Sequence, residues 1–238
     1  MSADTILHCF ASKRWSGDAT SALNSAIRSG GIVLTEAGER AELRLRRAGI
    51  ADVRPLSMSG MFGALNLSRM LRIVRPAAVH VHSVSLLPKV RQAVSLSKLP
   101  VEIIDRSADI VLPEEFPPVD KGDKLLWIGY ITTDCGLRLL LEAMKSLPPE
   151  VTLRVVGEGE AKVVGPLLNL AKTPWLRGRV EWTGEREDVY EMMNGCCAGV
   201  ITSANPESKV VYHELIRAGL PVISGTLPEE LINGISSL

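Results

Sequence analysis

The sequence predicts an α/β protein made of two doubly wound parallel-sheet domains that face a cleft. Short apolar runs rich in β-branched residues alternate with segments of helical period, the mark of βαβ units. A stretch dense in proline and charge, "RSADIVLPEEFPPVDKGDK", interrupts that alternation, and the same grammar then starts again. At 238 residues the chain is long enough for two cores.

Taken in order, "TILHCF" reads as the first strand, "SKRWSGD" as a loop and "ATSALNSAIRSGG" as a helix closed by Gly30 and Gly31. "IVLTE" is a strand and "EAGERAELRLRRAGI" a helix ending at Gly49. "VRPLS", a helical "GALNLSRMLRIVR", the strand "AAVHVHS", a helix from about Leu86 to Leu96 and "VEIID" complete the first series. The second runs through "LLWIGY" and the helix "LRLLLEAMKSL", then strand "VTLRVVG", helix "EAKVVGPLLNLAK", strand "RVEWTG" and a helix in "DVYEMMNG". Strand "AGVITS", helix "KVVYHELIRAG" and strand "PVIS" follow. The implied domains are residues 1–112 and 124–238, with a linker at 113–123. Ligands of such sheets bind at the carboxyl ends of the strands.

Composition excludes several classes. Apolar residues make up 46% and charged residues 23% of the chain, and 27 basic residues balance 27 acidic ones, so nothing drives it toward nucleic acid. The four cysteines, Cys9, Cys135, Cys196 and Cys197, show neither a disulfide framework nor metal-ligand spacing, which fits a reducing cytoplasm. The N-terminus lacks the pattern of a secretory signal, and no apolar run reaches the ~18 residues a membrane span needs.

Several motifs carry two readings. "RVVGEGEAK" has Gly157 and Gly159 between a strand and a helix, but Lys162 stands where a dinucleotide fingerprint has its third glycine, so a tight βα turn is the plainer reading. His80 and His82 end a strand on one side of the sheet. A metal pair there lacks further ligands, so packed or hydrogen-bonded histidines are the default. Gly17 and the helix after it offer backbone N–H groups to an anion or a sugar hydroxyl, with Asp18 as a helix cap; the alternative is a plain capped helix. Arg69, Arg72 and Arg75 on one helix, and Arg40, Arg44, Arg46 and Arg47 on another, form stripes that are either solvated faces or compatible with docking on anionic lipid.

The second half has four signals in order: "LLWIGYITTDCGLRLLLEAM", "LRVVGEGE", "RVEWTGEREDVYEMMNGCCAGVITS" and "HELIRAGLPVIS". In this it resembles the nucleotide-sugar-binding domain of GT-B glycosyltransferases, the retaining family called family 4, from about Lys124 to Leu238. The first half resembles the acceptor domain more loosely, in its strand, Gly17 loop, helix and HxH strand end. The resemblance implies two Rossmann-like domains in a GT-B-like arrangement. It implies a cytoplasmic hexosyltransferase of polysaccharide biosynthesis that moves a sugar from a UDP- or GDP-type donor to a glycan or lipid-linked acceptor. Transfer would proceed with retention, without a metal and without a further cofactor. Peripheral contact with the inner membrane face and a homo-oligomer are compatible with it.

Carried over by residue, Gly129 matches the glycine ending the first donor-domain strand, beside the diphosphate. Gly157 and Glu158 match the turn beneath the nucleotide, Thr183 and Gly184 the strand end lining the base pocket, and Thr202 and Ser203 the usual Pro-Ser pair. Glu214 matches the second Glu of the family's pair, which accepts from the ribose hydroxyls. His82, rather than His80, matches the histidine near the transferred sugar. The chain departs from the family at Tyr130 and Cys135, where an Arg and a Lys grip the diphosphate. Each such contact is worth about 2 to 4 kcal/mol in a water-excluded site, and Arg138 or Lys209 would have to substitute. Pro206 stands at the first Glu of the pair, with Glu207 beside it. The first domain is also reduced and the closing helices are missing, which predicts a more open cleft or one completed by another subunit. These losses support a second expectation, a catalytically reduced GT-B-like protein that binds a nucleotide or glycan for a glycan-assembly partner.

Overall fold

The computed structural model describes residues 5–11, 17–36, 39–186, 188–203 and 206–238, and the side chains of residues 39, 40, 206 and 207 lie outside that description. Two compact units divide the chain, residues 1–113 and 114–238. In the first, β1 (Ile6–Phe10), α1 (Gly17–Ser29), β2 (Ile32–Thr35), α2 (Glu39–Arg47) and β3 (Val53–Pro55) are followed by α3 (Gly63–Val74), β4 (Ala78–Val81), α4 (Leu87–Ser97) and β5 (Glu102–Asp105). The strands form a parallel five-stranded sheet in the order β3-β2-β1-β4-β5.

Residue parity decides what each face of that sheet meets. Leu7, Cys9, Leu34, Val79 and Val81 pack with Leu67 and Leu71 of α3 and Val90 of α4. Phe10 and Val33 turn the other way, onto Ala19, Ala22 and Ala26 of α1 and Ala41 and Leu45 of α2. His8 alternates with Leu7 and Cys9 and pairs in register with His80. The histidines of β1 and β4 therefore share the face on which α1 presents small residues.

The second unit repeats the plan with β6 (Lys121–Ile128), α5 (Leu137–Ala143), β7 (Thr152–Val156), α6 (Ala161–Ala171), β8 (Val180–Gly184), β9 (Cys196–Ile201), α7 (Pro206–Arg217), β10 (Val222–Ser224) and α8 (Pro228–Ser236). Its parallel order is β10-β9-β6-β7-β8. Leu125, Trp127, Leu153, Val155, Ala198 and Val200 form the core with Leu137, Leu140 and Leu141 of α5 and Leu231 of α8. On the opposite face Leu126 and Val156 meet Leu215 of α7. The expected α/β class with two doubly wound parallel sheets is what the structure has.

Four local expectations change. "DVYEMMNG" yields only a single 3-10 turn, Glu191–Met193. Arg154 Nη1 donates to the carbonyls of Met192 (2.9 Å) and Asn194 (2.7 Å), taking acceptors that a longer helix would use. β6 begins at Lys121, inside the expected linker. α7 begins at Pro206, a residue well suited to a helix start. α8, with no counterpart in the sequence reading, starts at Pro228, and Glu230 bonds back to the backbone N–H groups of Thr226 and Leu227.

The proline-rich segment is tied down on each side of Pro113. Ser21, Asn24 and Arg28 of α1 donate to the carbonyls of Asp109, Val111 and Leu112 at 3.2, 2.8 and 2.7 Å. Beyond it, Arg217 donates to the Glu114 carbonyl, and Phe116 packs on the Tyr190 ring at 4.4 Å between centroids.

Arg179 is the main polar fastener of the second core. Its buried guanidinium donates to the carbonyls of Met144, Pro148, Val151 and Trp175 at 2.7–3.1 Å. Truncation would strand those acceptors, each costing about 1–3 kcal/mol if it stays dry. Arg179→Ala is expected to lose about 3 kcal/mol and Arg179→Lys nearly as much, since an ammonium cannot fork to all of them. The check is urea unfolding followed by tryptophan fluorescence, because Trp127, Trp175 and Trp182 all belong to this unit.

Candidate functional site

In the second sheet the chain moves outward from β6 to β7 and β8, then returns to the other side of β6 as β9 and β10. The carboxyl ends of β6 and β9 are therefore the switch point where a crevice opens. A pocket of about 30 Å³ lies there, between strand-end residues Trp127 to Tyr130 and Val200 to Ser203, with Cys135 and with Ser208 and Val211 of α7. By that measure it holds a small polar group.

Its floor is a buried relay. Trp127 Nε1 donates to Thr202 Oγ1 at 2.9 Å, and the Thr202 hydroxyl donates to the Cys135 carbonyl at 2.6 Å. Gly136, at φ +75°, lets the loop before α5 settle on β9, because a Cβ there would lie 2.4 Å from the Thr202 carbonyl oxygen. On the pocket's outer side Ser203 and Ser208 share a hydrogen bond of 3.0 Å. The first turn of α7 brings the positive end of its dipole to the same place.

On the other side of β6 the strand ends are laced together. Gly129 N–H donates to Val156 O, Gly157 N–H to Gly184 O and Ile131 N–H to Glu158 O, at 2.8–3.0 Å. A Cβ on Gly157 would lie 1.8 Å from the Gly129 oxygen, so this turn needs glycine. The Thr183 hydroxyl is spent on Val155 O at 3.1 Å. Gly129, Gly157, Glu158, Thr183 and Gly184 thus share one carboxyl edge, and of the residues carried over from the sequence Gly129, Thr202 and Ser203 line the pocket itself.

Glu214 is 7% exposed, and its Oε1 accepts from the Tyr190 hydroxyl at 3.1 Å, one helical turn beyond Val211. Lys209 is exposed on the first turn of α7. The Glu207 side chain lies outside the described residues. At the departures from the family, Cys135 is 5% exposed and packs in the core, and Arg138 pairs with Glu142 at 2.9 Å.

In the first unit, Gly17 opens α1. Asp18 is not a helix cap: it lies within the first turn and accepts from Ser83 Oγ at 2.5 Å. Ser83 in turn accepts from Ala11 N–H at 2.9 Å, which ties the ends of β1 and β4 together. Burial raises the Asp18 pKa while the Ser83 bond opposes the rise. His82 is 1% exposed, and its Nε2 lies 3.2 Å from His8 Nδ1. Burial first, and neighbouring His80 and Arg106 next, push His8 down to about 4; burial, His8, His80 and Arg106 push His82 down to about 3.

The sequence reading missed His8, Ser83, Trp127 and Tyr190. His8 was legible as a lone imidazole in an apolar strand with the parity of the HxH strand. Among the described residues no group of three His, Cys, Asp or Glu side chains is arranged for a metal ion. Burial raises Cys9 to about 12 and Cys196 to about 11, so both are thiols at neutral pH.

Comparison with known proteins bears on the fold. Residues 122–237 match the family model described as glycosyl transferases group 1. No curated protein matches the sequence. Among solved structures, Anabaena HepE in complex with UDP and glucose superposes with a TM-score of 0.78 at 17% identity, over 98% of this chain and 89% of that one. A glycosyltransferase from Rickettsia africae gives 0.65 at 12% identity, over 95% and 80%. The S. aureus MnaA–UDP co-structure gives 0.67 at 11%, over 99% and 87%. The fold, two parallel five-stranded sheets with helices, is the GT-B architecture of these neighbours. The likeness to the glycosyl transferases group 1 model is confined to the second unit, and the likeness to the solved structures is one of fold.

Thr202 offers a direct test of the pocket floor. Thr202→Val keeps the shape but leaves the Trp127 N–H and the Cys135 carbonyl buried without partners, an expected loss of about 2–4 kcal/mol. Thr202→Ser should recover most of it. Thermal unfolding of the three proteins decides.

Proposed function

We propose that this chain transfers a hexose from a UDP-type nucleotide-sugar to a glycan or lipid-linked acceptor, with retention and without a metal, in cytoplasmic polysaccharide assembly. The observation that carries the reading is the switch-point pocket of the second unit, bordered by the glycine-laced strand edge and by α7 with its buried Glu214. A carboxylate can accept from two vicinal hydroxyls, and Glu214, bonded to the Tyr190 hydroxyl, is the α7 residue that would hold the ribose in this way. The diphosphate would lie over Gly129, Ser203 and Ser208 at the start of α7, where the helix dipole favours negative charge. Lys209, exposed on that turn, supplies the cation that Tyr130 and Cys135 do not. Gly157, Glu158, Thr183 and Gly184 line the nucleotide side. Glu207, Gly17 and His82 serve the transferred sugar and the acceptor.

A second reading, a nucleotide- or glycan-binding protein with little turnover, is favoured by one observation: the Cys135 side chain is inside the core, so no cation reaches the phosphates from that position. Calorimetry and donor-hydrolysis assays with UDP, GDP, UDP-glucose and GDP-mannose separate the readings. UDP-sugar binding with turnover is expected, with Glu214→Gln about tenfold weaker in binding and Lys209→Ala slower by about 10²-fold. Binding without turnover supports the second reading. Neither binding nor turnover sinks both.

Contact with a membrane surface belongs to the same proposal. No described helix is long and apolar enough to cross a membrane. Before and along α3, however, Met61 (91%), Phe62 (65%), Leu65 and Ile73 are exposed, interspersed with exposed Arg69 and Arg72 on one stripe. That pairing suits an anionic interface, where each basic side chain adds about 1 kcal/mol. Co-sedimentation with phosphatidylglycerol vesicles but not with phosphatidylcholine vesicles is expected. The doubly substituted Arg69→Glu, Phe62→Ser protein should lose it, and equal binding to both lipids counts against the idea.

A further inference from the structure

Three hydrogen-bonding positions at the buried face of the first sheet fix where protons sit. Gly30 O, at the end of α1, lies 3.2 Å from His8 Nε2, and a carbonyl can only accept, so this nitrogen carries hydrogen. Ser29 Oγ, also 3.2 Å from His8 Nε2, donates its own hydrogen to Ser25 O at 2.8 Å and is left as a second acceptor. A neutral His8 therefore has a bare Nδ1. His82 Nε2, 3.2 Å away, must supply the hydrogen between the two rings. His82 Nδ1 is then a bare lone pair, and it is buried without a hydrogen-bond partner among the described residues.

We infer that His8 is a positioning residue: with Gly30 it locks His82 in the Nε2–H tautomer, so that Nδ1 is held as an acceptor for a sugar hydroxyl. The inference rests on the proposed glycosyl transfer for its ligand, but the proton order does not depend on it. Burial keeps both imidazoles neutral, and Arg106 works in the same direction on both. His80, edge-on to His8 at 5.0 Å between centroids, is also held low by burial and by Arg106, against the opposite pull of Glu102 and Asp109. With both rings neutral, the pair has one arrangement that satisfies Gly30, and that arrangement leaves an unfilled acceptor at His82. Buried polar atoms are nearly always bonded, so the unpartnered His82 Nδ1 calls for an explanation, of which a catalytic role is one and a bound water another. A hydroxyl contributed by the donor sugar or by the acceptor glycan satisfies the same chemistry.

The test uses the intact protein with nitrogen-15 labelled histidine, of which the chain has four residues. Long-range proton–nitrogen correlation at pH 7 should show His8 and His82 both as Nε2–H tautomers, assigned by substitution of each. An Nδ1–H tautomer at His82 overturns the proposal whether or not the protein turns over any sugar. UDP-glucose, but not UDP, should shift His82 Nδ1 if the hydroxyl is the donor's; a shift only on adding a glycan acceptor assigns it to the acceptor; no shift with either overturns the ligand half. His8→Leu should give a mixed His82 tautomer and lower kcat about tenfold with donor KM unchanged. His8→Asn, whose side-chain oxygen takes the place of Nδ1, should restore the tautomer and most of kcat. Equal losses in both variants, or a loss confined to KM, would mean that His8 only packs.

Discussion

The second unit is organised around a near-contact that only glycine permits. Backbone at Gly157 passes so close to the Gly129 carbonyl that a methyl group would sit at 1.8 Å. The ends of β6, β7 and β8 are therefore drawn into one laced edge. Because these strands close on each other, β6 can part from its neighbour only on the β9 side, and that is where the pocket lies. Trp127, Thr202 and Cys135 then turn the floor of that opening into a satisfied polar layer, so the crevice keeps its shape without a ligand.

The first unit solves a different problem. His8 of β1, His80 of β4 and His82 just past the end of β4 are three buried imidazoles, kept at the cost of desolvating them. The cost is contained by keeping the rings neutral and by giving His8 the Gly30 carbonyl at the end of α1. The small residues of α1 allow this close approach, and a larger apolar helix face would have filled the space. Placement by strand parity and protonation by burial thus come from the same few positions.

Much of this could be read from sequence because hydrophobic period survives into the fold. The β-branched runs became strands, the Gly30, Gly49 and Gly219 stops became helix ends, and the restart after the proline-rich stretch became a second sheet. Errors arose where a side chain from elsewhere intervenes. Arg154 takes the carbonyls that "DVYEMMNG" would need for a helix, and Ser83 claims the carboxylate read as a cap at Asp18. Such long-range bonds have no local signature. Edge glycines were identifiable because close backbone approach constrains residue type, whereas Trp127, Tyr190 and His8 serve the site through partners 24 to 75 positions away.

The proline-rich segment has a consequence for handling the protein. Its composition is that of a stretch proteases cut first, yet the carbonyls of Asp109, Val111, Leu112 and Glu114 are each held by a side chain of a neighbouring helix. A protease needs several consecutive residues of free, extended backbone, and four of the six carbonyls from Asp109 to Glu114 are engaged instead. The segment's sequence looks like slack, but the backbone is fastened on both sides of Pro113, so cutting at that proline is disfavoured.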